Sequence, residues 1–135
     1  MLRNALFAAA AILAGAGSVV AHHSISAVYD STRRTTLEGI VSEFQLVNPH
    51  PFLLLDVGDA AGRARRWKLE MDNRGELAAV GVTARTFKPG DRVIVSGSPG
   101  RTEPETLYVL RLDRPADGFW YEQVGFSPRI GSASR

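Results

Sequence analysis

Arg65-Arg66-Trp67-Lys68-Leu69-Glu70-Met71-Asp72-Asn73-Arg74-Gly75-Glu76-Leu77-Ala78-Ala79-Val80-Gly81 changes its periodicity half-way. From Arg65 to Met71 the pattern has period two, with Trp67, Leu69 and Met71 on one side and Arg66, Lys68 and Glu70 on the other, as in a half-buried strand. Asp72 or Asn73 is then placed to cap a helix, and Glu76, three residues after Asn73, supplies the reciprocal half of a capping box. Leu77 and Val80 are the apolar contacts of that short helix and Gly81 its stop. A strand running straight into a capped helix, with strands on both sides, narrows the fold considerably.

Upstream, Phe52 to Val57 is nearly continuous apolar sequence, expected for a strand buried on both faces, and Gly58-Asp59-Ala60-Ala61-Gly62 is the hairpin loop that joins it to the next strand. Before it, Thr35 to Val47 is a long strand whose apolar residues change parity. Ile40, Phe44 and Leu46 share one side and Leu37, Val41 and Val47 the other, and Gly39 near its start suggests a bulge or bend there. Asn48-Pro49-His50-Pro51 is a turn, because each proline removes a donor and pushes the preceding residue away from helix.

Downstream, Lys88-Pro89-Gly90-Asp91 is a tight turn and Val93 and Val95 alternate in a fourth strand that ends at Gly97-Ser98-Pro99-Gly100. Thr106 to Leu112 is a fifth strand, expected to present Tyr108, Leu110 and Leu112 on one face. Asp117-Gly118 is a hairpin signal, followed by Phe119-Trp120-Tyr121 and a Gly/Ser/Pro-rich tail expected to fray. Three strands, a helix and two strands, with the first strand bent, is the element order of an OB-fold: a mostly β, five-stranded barrel with one short helix between strands 3 and 4. A different small barrel or sandwich with an incidental helix is the alternative.

The N-terminus has another character. Arg3 precedes an Ala/Leu/Ile/Phe run from Ala5 to Ala16, and Gly17-Ser18-Val19-Val20-Ala21 ends in small residues. This is the pattern of a secretory signal peptide cleaved after Ala21; a membrane anchor is the alternative, but the run is shorter than the ~20 residues a spanning helix needs. The expected organisation is therefore signal peptide 1–21, extended lead-in 22–34, barrel 35–114, and aromatic hairpin with flexible tail 115–135, in a periplasmic or secreted protein.

The full chain has 135 residues with 16 basic and 14 acidic side chains, and removal of Arg3 leaves 15 against 14, a balance of +1. That balance, together with export, argues against a nucleic-acid partner despite Arg33-Arg34 and the cluster Arg63, Arg65 and Arg66. With no cysteine in the chain, disulfides, thiolate metal sites and cysteine nucleophiles are excluded.

The three histidines, His22, His23 and His50, are the candidate metal ligands. Cleavage after Ala21 makes His22 the first residue, offering its α-amine and its Nδ1 to one ion. His50 is the natural second imidazole, held between two prolines, and three nitrogens in a plane suit Cu(II). A variant uses the amine, an amide and His23. Against this stand plainer readings: His22-His23 as a loose start, and His50 as a turn residue bonded to the backbone. The carboxylate pairs Glu70/Asp72 and Glu103/Glu105 are expected to be solvated, Trp67 to belong to the core, and Phe119-Trp120-Tyr121 to cover one barrel end.

Ala21-His22-His23-Ser24, Tyr29-Asp30, Asn48-Pro49-His50, Leu55-Asp56-Val57, Trp67 with Glu70, and Lys88-Pro89-Gly90-Asp91 before Val93-x-Val95 together resemble a family of small secreted bacterial proteins classed as a domain of unknown function. The resemblance spans about residues 21–112 and Asn-Pro-His is its most distinctive part. It implies secretion and a small β-barrel, and no particular activity. Two functions remain: a module that binds a small ligand or an envelope protein, with no catalytic residue legible, or a copper-binding protein using His22, His23 and His50.

Overall fold

A computed structural model of the chain describes residues 24–133. The expected signal peptide, and with it His22 and His23, lies outside those residues. Within them are a short helix α1 (Ser24–Val28), strands β1 (Thr35–Gln45), β2 (Phe52–Gly58) and β3 (Ala64–Glu70), helix α2 (Arg74–Ala79), then β4 (Arg92–Pro99), β5 (Thr106–Arg114), β6 (Phe119–Val124) and β7 (Ser127–Ser132). None of the described helices is long and apolar enough to cross a membrane.

Strand β1 pairs antiparallel with β4 through its first half and with β2 through its second. Strand β2 continues to β3, and β4 pairs with β5. The ring closes where β5 runs parallel beside β3, matching Lys68 with Thr106, Leu69 with Leu107 and Glu70 with Tyr108. The barrel order β1-β2-β3-β5-β4, with α2 between β3 and β4, is the OB arrangement expected from the element order. Its interior is filled by side chains such as Leu53, Leu55, Leu69, Val95, Leu107 and Leu112, all fully buried.

Helix α2 forms as its sequence predicts. Asn73 is the cap, its Oδ1 accepting from the Glu76 N–H at 2.9 Å. Leu77 is the buried contact, and the chain leaves the helix through Gly81 at φ +99°, with Val82 N–H donating to Leu77 O at 3.0 Å.

Several strand details differ from expectation. The bulge in β1 is at Ser42, between the pairs Val41–Leu55 and Glu43–Leu54, and the Ser42 hydroxyl donates to Leu54 O at 3.1 Å. This is where the apolar parity changes. Gly39 serves another purpose: a Cβ there would stand 2.5 Å from the carbonyl oxygen of Asp56, so glycine lets two strands approach in the tightly coiled barrel wall. In β2 only Leu53 and Leu55 are fully buried, and Phe52 and Leu54 lie on a half-covered outer face. Lys68, over the Phe52 ring at 4.6 Å, covers part of that face. In β5 a second bulge, at Leu110 opposite Ser96–Gly97, shifts the pattern. The inward set is thus Leu107, Val109 and Leu112 rather than Tyr108, Leu110 and Leu112.

Both ends of the described chain are more ordered than expected. The lead-in contains α1 and is fastened to the β4–β5 turn: Tyr29 bridges Gly100, Asp30 N–H donates to Pro99 O and Arg101 N–H to Val28 O, each at 2.8 Å. The segment expected to fray is β7, which pairs with β6, and β6 pairs with the C-terminal half of β5. Tyr121 is fully buried and Phe119 meets Phe87 edge-on with ring centres 5.6 Å apart, so the aromatic run packs on the barrel.

Gly39→Ala is expected to lower stability by ~1–3 kcal/mol, the usual cost of overpacking, in urea unfolding. Gly58→Ala, where a Cβ meets nothing within 4 Å, should change it by less than ~0.5 kcal/mol.

Candidate ligand-binding site

The end of β3 determines the chemistry of one barrel end. Leu69 and Met71 point into the core, which leaves Glu70 on the other side of the strand and carries Asp72 to the start of α2. Two polar clusters form around these carboxylates.

In the first, the Tyr29 hydroxyl donates to Glu70 Oε2 at 2.7 Å. His50 comes from the turn between β1 and β2, which is tied to the same segment: Met71 N–H donates to Pro51 O at 2.9 Å and Arg74 N–H to Pro49 O at 3.2 Å. His50 Nδ1 lies 3.2 Å from the carbonyl oxygen of Met71. A carbonyl can only accept, so in the neutral ring this contact places the hydrogen on Nδ1 and the lone pair on Nε2. Glu70 Oε1, 3.8 Å from the same nitrogen, is too distant for a hydrogen bond but favours that tautomer electrostatically.

In the second cluster Asp72 is buried, contrary to the solvated position expected for it. Its Oδ1 accepts from Asn73 N–H at 2.7 Å and its Oδ2 from the side-chain amide of Gln123. The Gln123 carbonyl oxygen in turn accepts from the Tyr121 hydroxyl at 2.7 Å, and its amide also donates to Gly125 O at 3.0 Å. A buried carboxylate is tolerated because both its oxygens are bonded.

Between α1, the 49–50 turn, the start of α2, β5 and the β6–β7 loop lies a cavity of about 470 Å³. Its apolar lining is Ile25, Pro49 and Phe126, and its polar lining includes His50, Asp72, Glu76 and Tyr108. Among the described residues no Lys or Arg lines it, so its field favours neutral or cationic occupants over anions. The volume falls within the range of small-molecule sites. A second hollow of about 420 Å³ near Lys88 and Phe119 holds Arg114, which is already engaged: it donates to Thr86 O at 2.6 Å and pairs with Asp91 and Asp117, each at 2.8 Å.

Of the candidate metal ligands, the structure places His50 on the wall of the larger cavity, with its side chain 20% exposed. His22 and His23 lie outside the described residues. Among the described residues no three His, Asp or Glu groups stand together in a way that could hold a metal ion. Tyr29, Glu70, Asp72 and Tyr108 did not emerge from the sequence as site residues. The one signal available was that Tyr29, His50 and Glu70 all belong to the motifs that carried the family resemblance.

Fold and site together define a small closed β-barrel with a ligand-sized cavity at the helix-bearing end. The chain belongs to a family of unknown function, DUF6152, whose model matches residues 10–107. Strands β6 and β7 lie beyond the matched residues. No curated protein matches the chain. Among solved structures it is similar to the protein in the crystal structure of TiaS complexed with an isoleucine tRNA and ATP, with a TM-score of 0.44 and 20% identity over 79% of this chain and 24% of that one. The chain thus spans about a quarter of the length of that protein.

Burial raises the pKa of all three tyrosines. Desolvation is the largest cause in each case, reinforced at Tyr29 by its bond to Glu70, at Tyr108 by the charge of Asp72, and at Tyr121 by its neighbours Tyr108 and Asp72. A raised folded-state value contributes stability that is complete below the unfolded tyrosine value of about 10 and is lost as pH rises beyond it. Alkaline titration should therefore show tyrosinate absorbance appearing together with loss of near-ultraviolet circular dichroism, as one cooperative transition. Tyrosinate forming while the dichroism is intact would contradict this burial.

Proposed function

We propose that this chain is an exported β-barrel module, periplasmic or secreted, that binds a small ligand in the cavity beside His50. The observation that supports this most is the composition of the cavity wall. A few fixed polar groups (His50 bonded to Met71 O, Asp72 bonded to Gln123) stand beside apolar surface from Ile25, Pro49 and Phe126. Pre-formed pockets bind by this division, apolar area giving affinity and a few oriented polar groups giving selection. The lack of a cationic side chain among the described lining residues directs the reading to neutral or positively charged ligands.

Binding rather than catalysis is the role assigned, since His50 and Asp72 on the cavity wall are already bonded, to Met71 O and to the Gln123 amide. A protein partner is the second reading, favoured by Phe126, which is 79% exposed at the tip of the β6–β7 hairpin beside Val124.

The test is a thermal-shift screen of small neutral and cationic compounds on the purified protein, alongside Ser26→Trp, which fills the cavity from its exposed rim. A ligand at a hundred times its Kd adds ~2.7 kcal/mol to the folded state, so a hit should raise the melting temperature by several degrees in the parent and leave Ser26→Trp unmoved. Equal shifts in both proteins, or none in the parent, would count against the cavity as the site.

A further inference from the structure

We propose that the cavity takes a protonated primary amine carrying an apolar group, its N–H donors received by the Asp72 carboxylate and the Tyr108 hydroxyl and its apolar part by Ile25, Pro49 and Phe126. The proposal narrows the cavity reading and rests on it.

Tyr108 supplies the first observation. Strand β5 turns Leu107 and Val109 into the core and Tyr108 to the other side, where it lines the cavity. Tyr108 is only 7% exposed, and a hydroxyl buried to that degree ordinarily has a partner. The other two tyrosines comply: Tyr29 donates to Glu70 and Tyr121 to Gln123, each at 2.7 Å. The Tyr108 hydroxyl bonds none of the described residues. Its ring packs on that of Tyr29, with centres 5.8 Å apart, so the unbonded hydroxyl is carried on a fixed side chain.

Asp72 supplies the second. It is 6% exposed, and none of the ion pairs among the described residues includes it. Its hydrogen bonds come from the Asn73 N–H and the Gln123 amide, which are neutral, so they satisfy the oxygens without cancelling the charge. Each carboxylate oxygen keeps a lone pair for a further donor. A buried charge in this state attracts a cation strongly, because little solvent screens the pair. Glu76 adds another carboxylate to the wall, and no Lys or Arg lines it among the described residues.

The two groups stand close together. Tyr108 pairs with Glu70 across the barrel seam and Asp72 follows two residues later. After burial itself, the Asp72 charge is the largest influence holding the Tyr108 hydroxyl protonated. That oxygen can accept an N–H as well as donate its own hydrogen. A primary ammonium has three N–H donors and can bond both groups at once. A quaternary ammonium has none to give, and an anion is repelled by the two carboxylates. Alkylamines resemble the lysine side chain, with a pKa of ~10.4, and are charged at neutral pH.

Calorimetric titration of the purified protein tests this with 2-phenylethylamine and n-hexylamine as probes, 2-phenylethanol as the neutral counterpart and phenethyltrimethylammonium as the cation without N–H. Both amines should bind at one site, and 2-phenylethanol at least about tenfold more weakly than 2-phenylethylamine, the scale of a hydrogen bond to a charged group. Tyr108→Phe should weaken the amines by about tenfold while leaving phenethyltrimethylammonium and the urea midpoint unchanged, since the hydroxyl serves no bond among the described residues. Asp72→Asn should remove the preference for amine over alcohol; should it not fold, the Tyr108→Phe comparison decides alone. The alcohol binding as tightly as the amine, an equal loss for both cations in Tyr108→Phe, or no binding of either amine at millimolar concentration would each overturn the proposal. A neutral compound blocked by Ser26→Trp alongside any of those results would keep the cavity reading and remove only the amine.

Discussion

The parallel pairing of β3 with β5 is the contact on which the architecture depends. Without it the strands form one open sheet; with it the sheet closes and Leu69 and Leu107 stand side by side, both fully buried. Parallel pairing is slightly weaker per residue than antiparallel pairing, and here it covers only Lys68 to Glu70. It holds because both strands are anchored elsewhere, β3 along its full length on β2 and β5 on β4. The same pairing sets Glu70 directly beside Tyr108, so the seam that closes the barrel also gathers the polar groups of the cavity.

Those polar groups are costly to bury, and the central ones have partners within the fold. Asp72 accepts from a backbone N–H and an amide, Glu70 accepts from Tyr29, and the His50 ring uses a backbone carbonyl. Interlocked networks of this kind are rigid, since moving one member strands another without a partner. The arrangement holds the cavity wall in one shape before anything enters it.

The barrel was legible because its signals are local. The alternation from Trp67 to Met71, the Asn73–Glu76 cap and the Gly81 stop lie within one stretch of chain, and each formed as its chemistry predicts. The bulges at Ser42 and Leu110 were not legible, because a bulge is set by the register of a neighbouring strand distant in sequence. The apparent frayed tail failed for a related reason: Ser127 to Ser132 has weak strand propensity, and pairing with β6 overrides it. Of the site, His50 stood out by residue type. Asp72 did not, since nothing local in the sequence announces that Gln123, contributed by β6, will meet it at the barrel end.

That contact gives the C-terminal hairpin a particular status. Strands β6 and β7 close no part of the ring, yet their connecting loop supplies Gly125 and Phe126 to the cavity wall, and Gln123 joins them to the barrel through the Asp72 carboxylate. One side of the cavity is thus built by an appended element and the other by the barrel. The loop at 125–126 can therefore change in length or composition, and the pocket with it, while the closed ring beneath stays as it is.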